Sequence, residues 1–417
     1  MKVLVVGQGY VGLPLAMRAV EVGHDVVGLD VNDRRIGDLA GGRSYVDDIS
    51  AEELAAALGS GRYAPTTDVT AAEGFDVAVI TVPTPLRESA PDLSYIEQAV
   101  RDLAPLARRG STVVLESTTY PGTTQELLVP LLEAGSGLRA GVDVHVGYSP
   151  ERIDPGNATW TFVTTPKVVS GIDPASLAAV QAFYDTLVDR TVPVSSPREA
   201  EMAKLLENTF RHVNIALVNE LAVFSQAMGI DVWETIAAAS TKPFGFMPFT
   251  PGPGVGGHCL PIDPSYLSWQ VRQELGRSFR FVELANDIND HMPDYVVQRV
   301  MDLLNDARKP VNGSSVLLVG LAYKKNSGDV REAPSLRVVE LLRERGAVLS
   351  AVDAHVAEYE RPVGVELVAL DADRLAAADC VVLLTDHDDL DLALLEATDA
   401  PVLDTRGRLV GPGVVRL

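Results

Sequence analysis

The sequence predicts an α/β protein built from two Rossmann-type doubly wound domains joined by a long central helix. Three observations predict it. Short β-branched apolar runs alternate with amphipathic stretches at both ends of the chain, a glycine-rich turn follows the first run directly, and residues 198–228 contain neither proline nor glycine. At about 150 residues per domain, a chain of 417 residues has room for two or three domains.

The first region carries runs at residues 3–6, 25–29, 77–82, 112–115 and 144–148, with helical segments between them. Strands that alternate with helices imply a parallel sheet covered on both faces. The opening Met1-Lys2-Val3-Leu4-Val5-Val6 is too short for the apolar part of a signal peptide, and it breaks at Gly7 with no small-residue cleavage site. It is read as the first buried strand. The central helix is expected from about Arg198, with Ser196 and Pro197 as cap and first-turn pair, to Met228, with Gly229 as the stop. Lys204, Asn208 and Arg211 fall at i, i+4 and i+7 on it and form one polar stripe, solvated or functional. In the third region, residues 316–323 echo the opening strand and turn, and residues 348–352 and 381–384 continue the rhythm. The expected division is 1–195 for a cofactor domain, 196–305 for a central helical region and 306–417 for a second Rossmann-like domain.

Composition narrows the function. With 35 Lys+Arg against 57 Asp+Glu, the formal charge is −22. So acidic a chain is a poor ligand for nucleic acid or an anionic membrane, and no apolar stretch approaches the roughly 18–20 residues needed to span a bilayer. Only Cys259 and Cys380 are present, which disfavours a disulfide framework or a Cys-based zinc site and fits a reducing cytoplasm. The histidines form no evident metal cluster, and no metal is expected.

Gly7-Gln8-Gly9-Tyr10-Val11-Gly12 matches G-x-G-x-x-G between a strand and a helix. The first glycine permits the tight turn, the second lets backbone approach a pyrophosphate, and the third lets helix and strand pack closely. Asp30 closes the next strand, where a carboxylate binds a ribose 2′-hydroxyl and repels a 2′-phosphate. NAD is therefore the expected cofactor, with Arg34 and Arg35 near enough to soften that preference. Val82-Pro83-Thr84-Pro85 and Ser117-Thr118-Thr119-Tyr120-Pro121-Gly122 follow two further strands at their carboxyl ends, where ligands of open α/β sheets collect.

The loop Pro251-Gly252-Pro253-Gly254-Val255-Gly256-Gly257-His258-Cys259-Leu260-Pro261-Ile262-Asp263 is the most unusual segment. Its glycines suit close approach of backbone amides to a substrate. Cys259 has the setting of an activated nucleophile, although a lone cysteine is commonly a small buried hydrophobe, as expected for Cys380. Asp263 is placed to orient water. An NAD enzyme that only interconverts alcohol and ketone needs no thiolate, whereas one that carries a primary alcohol to an acid uses it to hold the aldehyde.

Five ordered motifs then resemble the UDP-glucose/GDP-mannose dehydrogenase family across essentially the whole chain: the glycine fingerprint, Ser149-Pro150-Glu151-Arg152, Ala200-Glu201-Met202-Ala203-Lys204-Leu205-Leu206-Glu207-Asn208, the cysteine loop, and Tyr323-Lys324-Lys325-Asn326-Ser327-Gly328-Asp329-Val330-Arg331-Glu332. The resemblance implies NAD-dependent four-electron oxidation of C6 of a nucleotide sugar. It implies Cys259 as nucleophile, Lys204 as the oxyanion-stabilising lysine with Asn208 beside it, and Asp263 as partner of the catalytic water. It also implies Glu151 for thioester hydrolysis and Thr118 near the nicotinamide. Tyr10, Val11, Arg35 and Thr84 fall on the cofactor side, and Arg211, Gly257, Lys324 and Arg406 on the substrate side. A homodimer or larger assembly built on the central helix is implied as well. Segments around Glu151, Asn208, Lys242 and Cys259 look more like the branch that oxidises UDP-N-acetylhexosamines, with the N-acetylglucosamine epimer expected first and N-acetylmannosamine close behind. Asn326-Ser327-Gly328-Asp329 is instead similar to the UDP-glucose branch. A two-electron NAD-dependent alcohol dehydrogenase, with Cys259 incidental, is the alternative.

Overall fold

The computed structural model describes residues 1–46, 48–87, 90–153, 157, 159–257 and 260–417. The chain divides into two compact units, Met1–Glu207 with Gln273–Leu275, and Asn208–Arg272 with Gly276–Leu417. The helix Pro197–Ala227 passes from one to the other and is about 46 Å long at 1.5 Å per residue. Its ends are those expected. Ser196 Oγ accepts from the Arg198 amide (3.2 Å), Gly229 takes φ +71°, and the Ile230 amide returns to the Ser225 carbonyl (2.8 Å), a Schellman closure that only a left-handed residue permits.

The first unit holds an eight-stranded sheet in the spatial order Thr191–Pro193, Lys167–Gly171, His145–Tyr148, Thr112–Leu115, Val77–Ile80, Lys2–Val6, Asp25–Leu29, Tyr63–Thr66. The direction of winding reverses at Lys2–Val6, the switch point at which doubly wound sheets open a crevice. Both faces are buried, as the continuous apolar runs require. Val3 and Val5 pack with Leu13, Leu15 and Val20, while Leu4 and Val6 pack on the other side with Ile96, Val100 and Leu103. The expected all-parallel sheet needs one correction. Lys167–Gly171 runs antiparallel to His145–Tyr148, because the segment between them supplies no crossover helix among the described residues.

The second unit holds six parallel strands in the order Val365–Leu367, Val348–Val352, Ser315–Val319, Cys380–Leu383, Val402–Asp404, Val414–Arg416. Val316 and Leu318 face one core with the helix Arg280–Asp306, and Leu317 and Val319 face another. Cys380 is fully buried in this sheet, and burial pushes its thiol up to about 12. It is a packing residue. Among the described residues, no helix is long and apolar enough to cross a membrane.

Candidate active site

In the first unit the three fingerprint glycines have separate reasons to lack a side chain. Gly7 has φ +94°, and a Cβ there would lie 2.8 Å from the Thr81 carbonyl oxygen. A Cβ on Gly12 would lie 1.8 Å from the Gly7 carbonyl oxygen and 2.4 Å from Thr81 Oγ1. At Gly9 nothing lies within 4 Å, so this glycine faces open space in front of the helix Gly12–Glu21. Beside it Tyr10 is exposed and Val11 half-buried. Two glycines fit the protein and one leaves open space, and the N-terminus of a helix offers amides of the kind that bind phosphates.

Asp30, at the end of Asp25–Leu29, accepts from the Gln8 amide (2.9 Å) and the Asn32 amide (2.9 Å), and Arg35 lies 3.6 Å from its Oδ2. The carboxylate thereby ties the glycine turn to the second strand. A carboxylate has about four lone-pair sites, so a ribose hydroxyl can still be accepted. The two downstream loops are stitched together. Thr84 Oγ1 donates to the Thr118 carbonyl (2.8 Å), and Ser117 Oγ donates to the Val82 carbonyl (2.7 Å). These residues fit a bound dinucleotide at the switch point of the sheet.

At the end of His145–Tyr148, Glu151 is buried and Lys204 Nζ donates to its backbone carbonyl at 2.5 Å. Glu151 Oε1 accepts from the amides of Arg152 and Ile153, and Oε2 meets Lys167 Nζ at 3.2 Å. Lys167 also bonds Glu116, whose Oε2 accepts from the Tyr184 hydroxyl at 2.9 Å. Burial pushes Glu116 up to about 7. Burial pushes Glu151 the same way, but Lys167 and the Ile153 amide more than offset it and hold this carboxyl below its ordinary value. Neither Lys167 nor Glu116 was anticipated. The available signal was a charged residue at each end of an apolar run, Lys167 before Val168-Val169 and Glu116 after Val113-Val114-Leu115. Glu201, also unanticipated, accepts from the amides of Gly122 (2.6 Å) and Thr124 (2.9 Å) and anchors the loop after Ser117 to the central helix.

In the second unit, Asn208 Nδ2 donates to Asp263 Oδ2 at 2.6 Å, and both side chains are buried. Further along the same helix face the buried polar residue is His212, at i+4 from Asn208, rather than Arg211. His212 Nε2 meets Asn286 Oδ1 at 2.7 Å, and burial pulls its imidazole below the ordinary value. Arg211 is exposed and has no ion pair among the described residues. Asn219 Nδ2 donates to Asn289 (2.9 Å), and Asn219 Oδ1 accepts from the Gly252 amide (2.9 Å), fixing the start of the glycine loop.

That loop differs from expectation in what its glycines accommodate. A Cβ on Gly256 would lie 2.7 Å from the Glu332 carbonyl oxygen, and one on Gly257 would lie 2.7 Å from the Tyr323 ring. The Gly257 amide donates to the Arg331 carbonyl (3.2 Å). The missing side chains here make room for the segment that follows Ser315–Val319, which includes half-buried Lys324. At the other end of the loop, Arg406 Nη1 lies 3.1 Å from where a Gly252 Cβ would stand, and Arg406 Nε donates to the Leu384 carbonyl (2.6 Å). Cys259 and His258 lie outside the described residues. One set of possible metal ligands occurs among the described residues, His355, His387 and Asp389. Both His387 nitrogens are engaged, Nδ1 by the Asn326 amide (2.9 Å) and Nε2 by Asp353 (3.1 Å).

A glycine turn, an acidic second-strand terminus and a switch point in the strand order mark a dinucleotide-binding protein of the Rossmann class. The chain belongs to the UDP-glucose/GDP-mannose dehydrogenase family: the model of its NAD binding domain matches residues 1–188, that of its central domain 198–291, and that of its UDP binding domain 317–410. It is 38% identical over 391 residues to the UDP-N-acetyl-D-glucosamine 6-dehydrogenase of Pseudomonas aeruginosa, covering 93% of this chain and 90% of that one. It is 35% identical over 388 residues to the UDP-N-acetyl-D-mannosamine dehydrogenase of Pyrococcus horikoshii, again covering 93% and 90%. The solved structure of the Pyrococcus horikoshii UDP-D-ManNAc dehydrogenase superposes with a TM-score of 0.90 at 33% identity, covering 100% of this chain and 98% of that one. The protein is an NAD-dependent nucleotide-sugar dehydrogenase.

Proposed function

We propose that this dehydrogenase oxidises the C6 hydroxymethyl group of a UDP-N-acetylhexosamine, UDP-N-acetylglucosamine first, to the uronic acid through a thioester on Cys259. Held at the Gly7–Gly12 turn and Asp30, NAD would supply the hydride acceptor for each of two rounds. The overall reaction consumes the alcohol, two NAD⁺ and one water, and yields the carboxylate, two NADH and three protons.

The chain's own groups divide the work. A lysine ammonium has three donors, so Lys204 can be anchored on the Glu151 carbonyl and still serve the developing C6 oxyanion. The Cys259 thiolate adds to the aldehyde carbon and gives a thiohemiacetal, whose oxidation leaves a thioester. Glu151 takes a proton from water, the water oxygen adds to the thioester carbonyl, and collapse expels the Cys259 thiolate. The observation that carries the proposal is the buried Asn208–Asp263 bond, 2.6 Å long, four residues from Cys259 in sequence. A carboxylate kept from solvent and oriented by an amide suits a partner for a reacting water better than a surface role. Thr118 and Thr84 serve the nicotinamide side, and Arg211, Gly257, Lys324 and Arg406 the UDP-sugar side. The work divides among residues 1–195, 196–305 and 306–417 for cofactor, catalytic helix and loop, and nucleotide sugar.

The protein is proposed to act in the cytoplasm as a homodimer. Leu206, Phe210, Leu217, Leu221 and Phe224 on the central helix and Met228 just past its end, spaced by three, four or seven, are all at least 44% exposed, a stripe that a second copy would cover. Light scattering should give twice the chain mass, and L217E/L221E should halve it.

NADH release and product mass against UDP-N-acetylglucosamine, UDP-N-acetylgalactosamine, UDP-N-acetylmannosamine and UDP-glucose test the chemistry. Two NADH per sugar with an acid product is expected, fastest with UDP-N-acetylglucosamine. One NADH with a carbonyl product overturns the proposal, as does undiminished acid formation by Cys259→Ser.

A further inference from the structure

We propose that Lys167 is a positioning residue for the hydrolytic step, holding the carboxylate of Glu151 in place from inside the first unit. The assignment rests on the base role proposed above for Glu151.

Lys167 opens the strand Lys167–Gly171 and is only 3% exposed. A buried ammonium needs a counter-charge, and Glu116 with the Tyr184 hydroxyl behind it supplies one. Structure alone would be satisfied by that neutral pair. A second carboxylate, Glu151, shares the same ammonium at 3.2 Å, and Lys204 also acts on it, so Lys167 holds a group that the first pair does not need. The arrangement therefore favours an ionised Glu151. Geometry fixes it further. One Glu151 oxygen is held by the amides of Arg152 and Ile153 and the other by Lys167, while Lys167 Nζ lies 5.5 Å from the Phe162 ring centroid and 5.4 Å from that of Tyr184.

Among the described residues, four charged or titratable groups act on Glu151. They are Lys167 and Glu116 from the two strand ends, Tyr184 through Glu116, and Lys204 at its carbonyl. Burial places Glu116 near 7, while Lys167 holds Glu151 low against the same burial. Burial favours the neutral form of Glu116, while Lys167 and the Ile153 amide favour the ionised form of Glu151. Glu151 remains the anion that can accept a proton from water.

The test separates the steps of one turnover. In Lys167→Met, NADH release in the first turnover should keep its two equivalents and nearly its rate, because the thioester forms before water is needed. Steady-state kcat should fall by about tenfold or more, part of the 10²–10⁴-fold that a general base contributes. A thioester adduct should accumulate by intact mass, KM should stay within about twofold, and the acidic limb of the kcat–pH profile should move to higher pH. Lys167→Arg should restore most of the rate. The double variant K167M/E116Q removes the stranded charge, so that folding does not decide the result, and it should show the same displaced limb.

A merely structural lysine would lower the melting temperature and slow every step alike with the limb unmoved, and that result overturns the proposal. Glu151→Gln tells the two ideas apart. If it hydrolyses thioester normally, the base role fails. If it traps the adduct while folded Lys167 variants do not, only the positioning role fails.

Discussion

The two sheets use the same turn for different ends. In each, a central strand runs into a left-handed glycine whose amide bonds the last residue of the neighbouring strand, Gly7 to Leu29 at 2.7 Å and Gly320 to Val352 at 2.8 Å. An aspartate follows that residue in both, Asp30 and Asp353. After Gly7 a helix begins five positions on, at Gly12, with Gly9 open to space. After Gly320 the next helix begins fourteen positions on, at Pro334, and buried Ala322 stands where Gly9 would. Asp30 accepts two backbone amides and has Arg35 nearby. Asp353 accepts from the amides of Leu321, Ala322, His355 and Val356 and pairs with His387. The first aspartate keeps capacity for a ligand, while the second is used up as an internal pin. The motif sets the position of the acid, and the number of neighbours sets its job.

The hardest blow to the first unit's version should be Gly12→Val. Its side chain would meet the Gly7 carbonyl at once, so the loop must move at a cost above the usual 1–3 kcal/mol of overpacking, roughly, and NADH production should fall below about 1%. Gly9→Ala should keep the unfolding midpoint and raise only the KM for NAD. Equal losses of stability in the two variants would break the distinction between packing and ligand glycines.

Asp353→Asn should come next. It strands several buried donors, and urea unfolding should show a loss of about 3 kcal/mol. The wild-type carboxyl is raised by burial, but its His387 and amide hydrogen bonds more than offset that and hold it at about 2. A depressed carboxyl stabilises above its unfolded value near 4 and loses that contribution as pH falls toward 2. Wild type should thus lose roughly 1–2 kcal/mol more than the variant across that window.

Asp30→Ala should be milder for the fold, about 1 kcal/mol, yet raise the KM for NAD about tenfold and narrow the gap to NADP. A stability loss as large as that of Asp353→Asn would erase the contrast between the two aspartates. Smallest of all should be Cys380→Val. Cys380 pairs with Val316 as Val77 pairs with Val3, so the swap copies one sheet into the other. Activity should be unchanged and stability altered by less than about 1.5 kcal/mol, checked by thermal melting.

Local pattern made much of this legible. The switch-point strands, both glycine turns, the ends of the central helix and the buried state of Cys380 follow from apolar runs and backbone preferences a few residues wide. The polar stripe was legible only in part. Lys204 and Asn208 are engaged, but burial continues to His212 rather than Arg211, because a step of four keeps to that face and the following step of three drifts toward solvent. The short strands Tyr63–Thr66, Thr191–Pro193 and Val414–Arg416 carry too few residues for a periodic signal.

By itself, then, the sequence determined the class of fold, the cofactor turn and the order of the family's motifs, since each is written in neighbouring residues. Only the tertiary structure decided that Gly256 and Gly257 make way for Glu332 and Tyr323, that Asp353 is saturated while Asp30 is not, and that Lys167 reaches across 51 positions to Glu116 beside Glu151. Such facts depend on which side chains long-range folding brings within about 3 Å in a dry interior. There one added or missing partner decides whether a carboxylate is a saturated pin or keeps open capacity, and no spacing along the chain records that count.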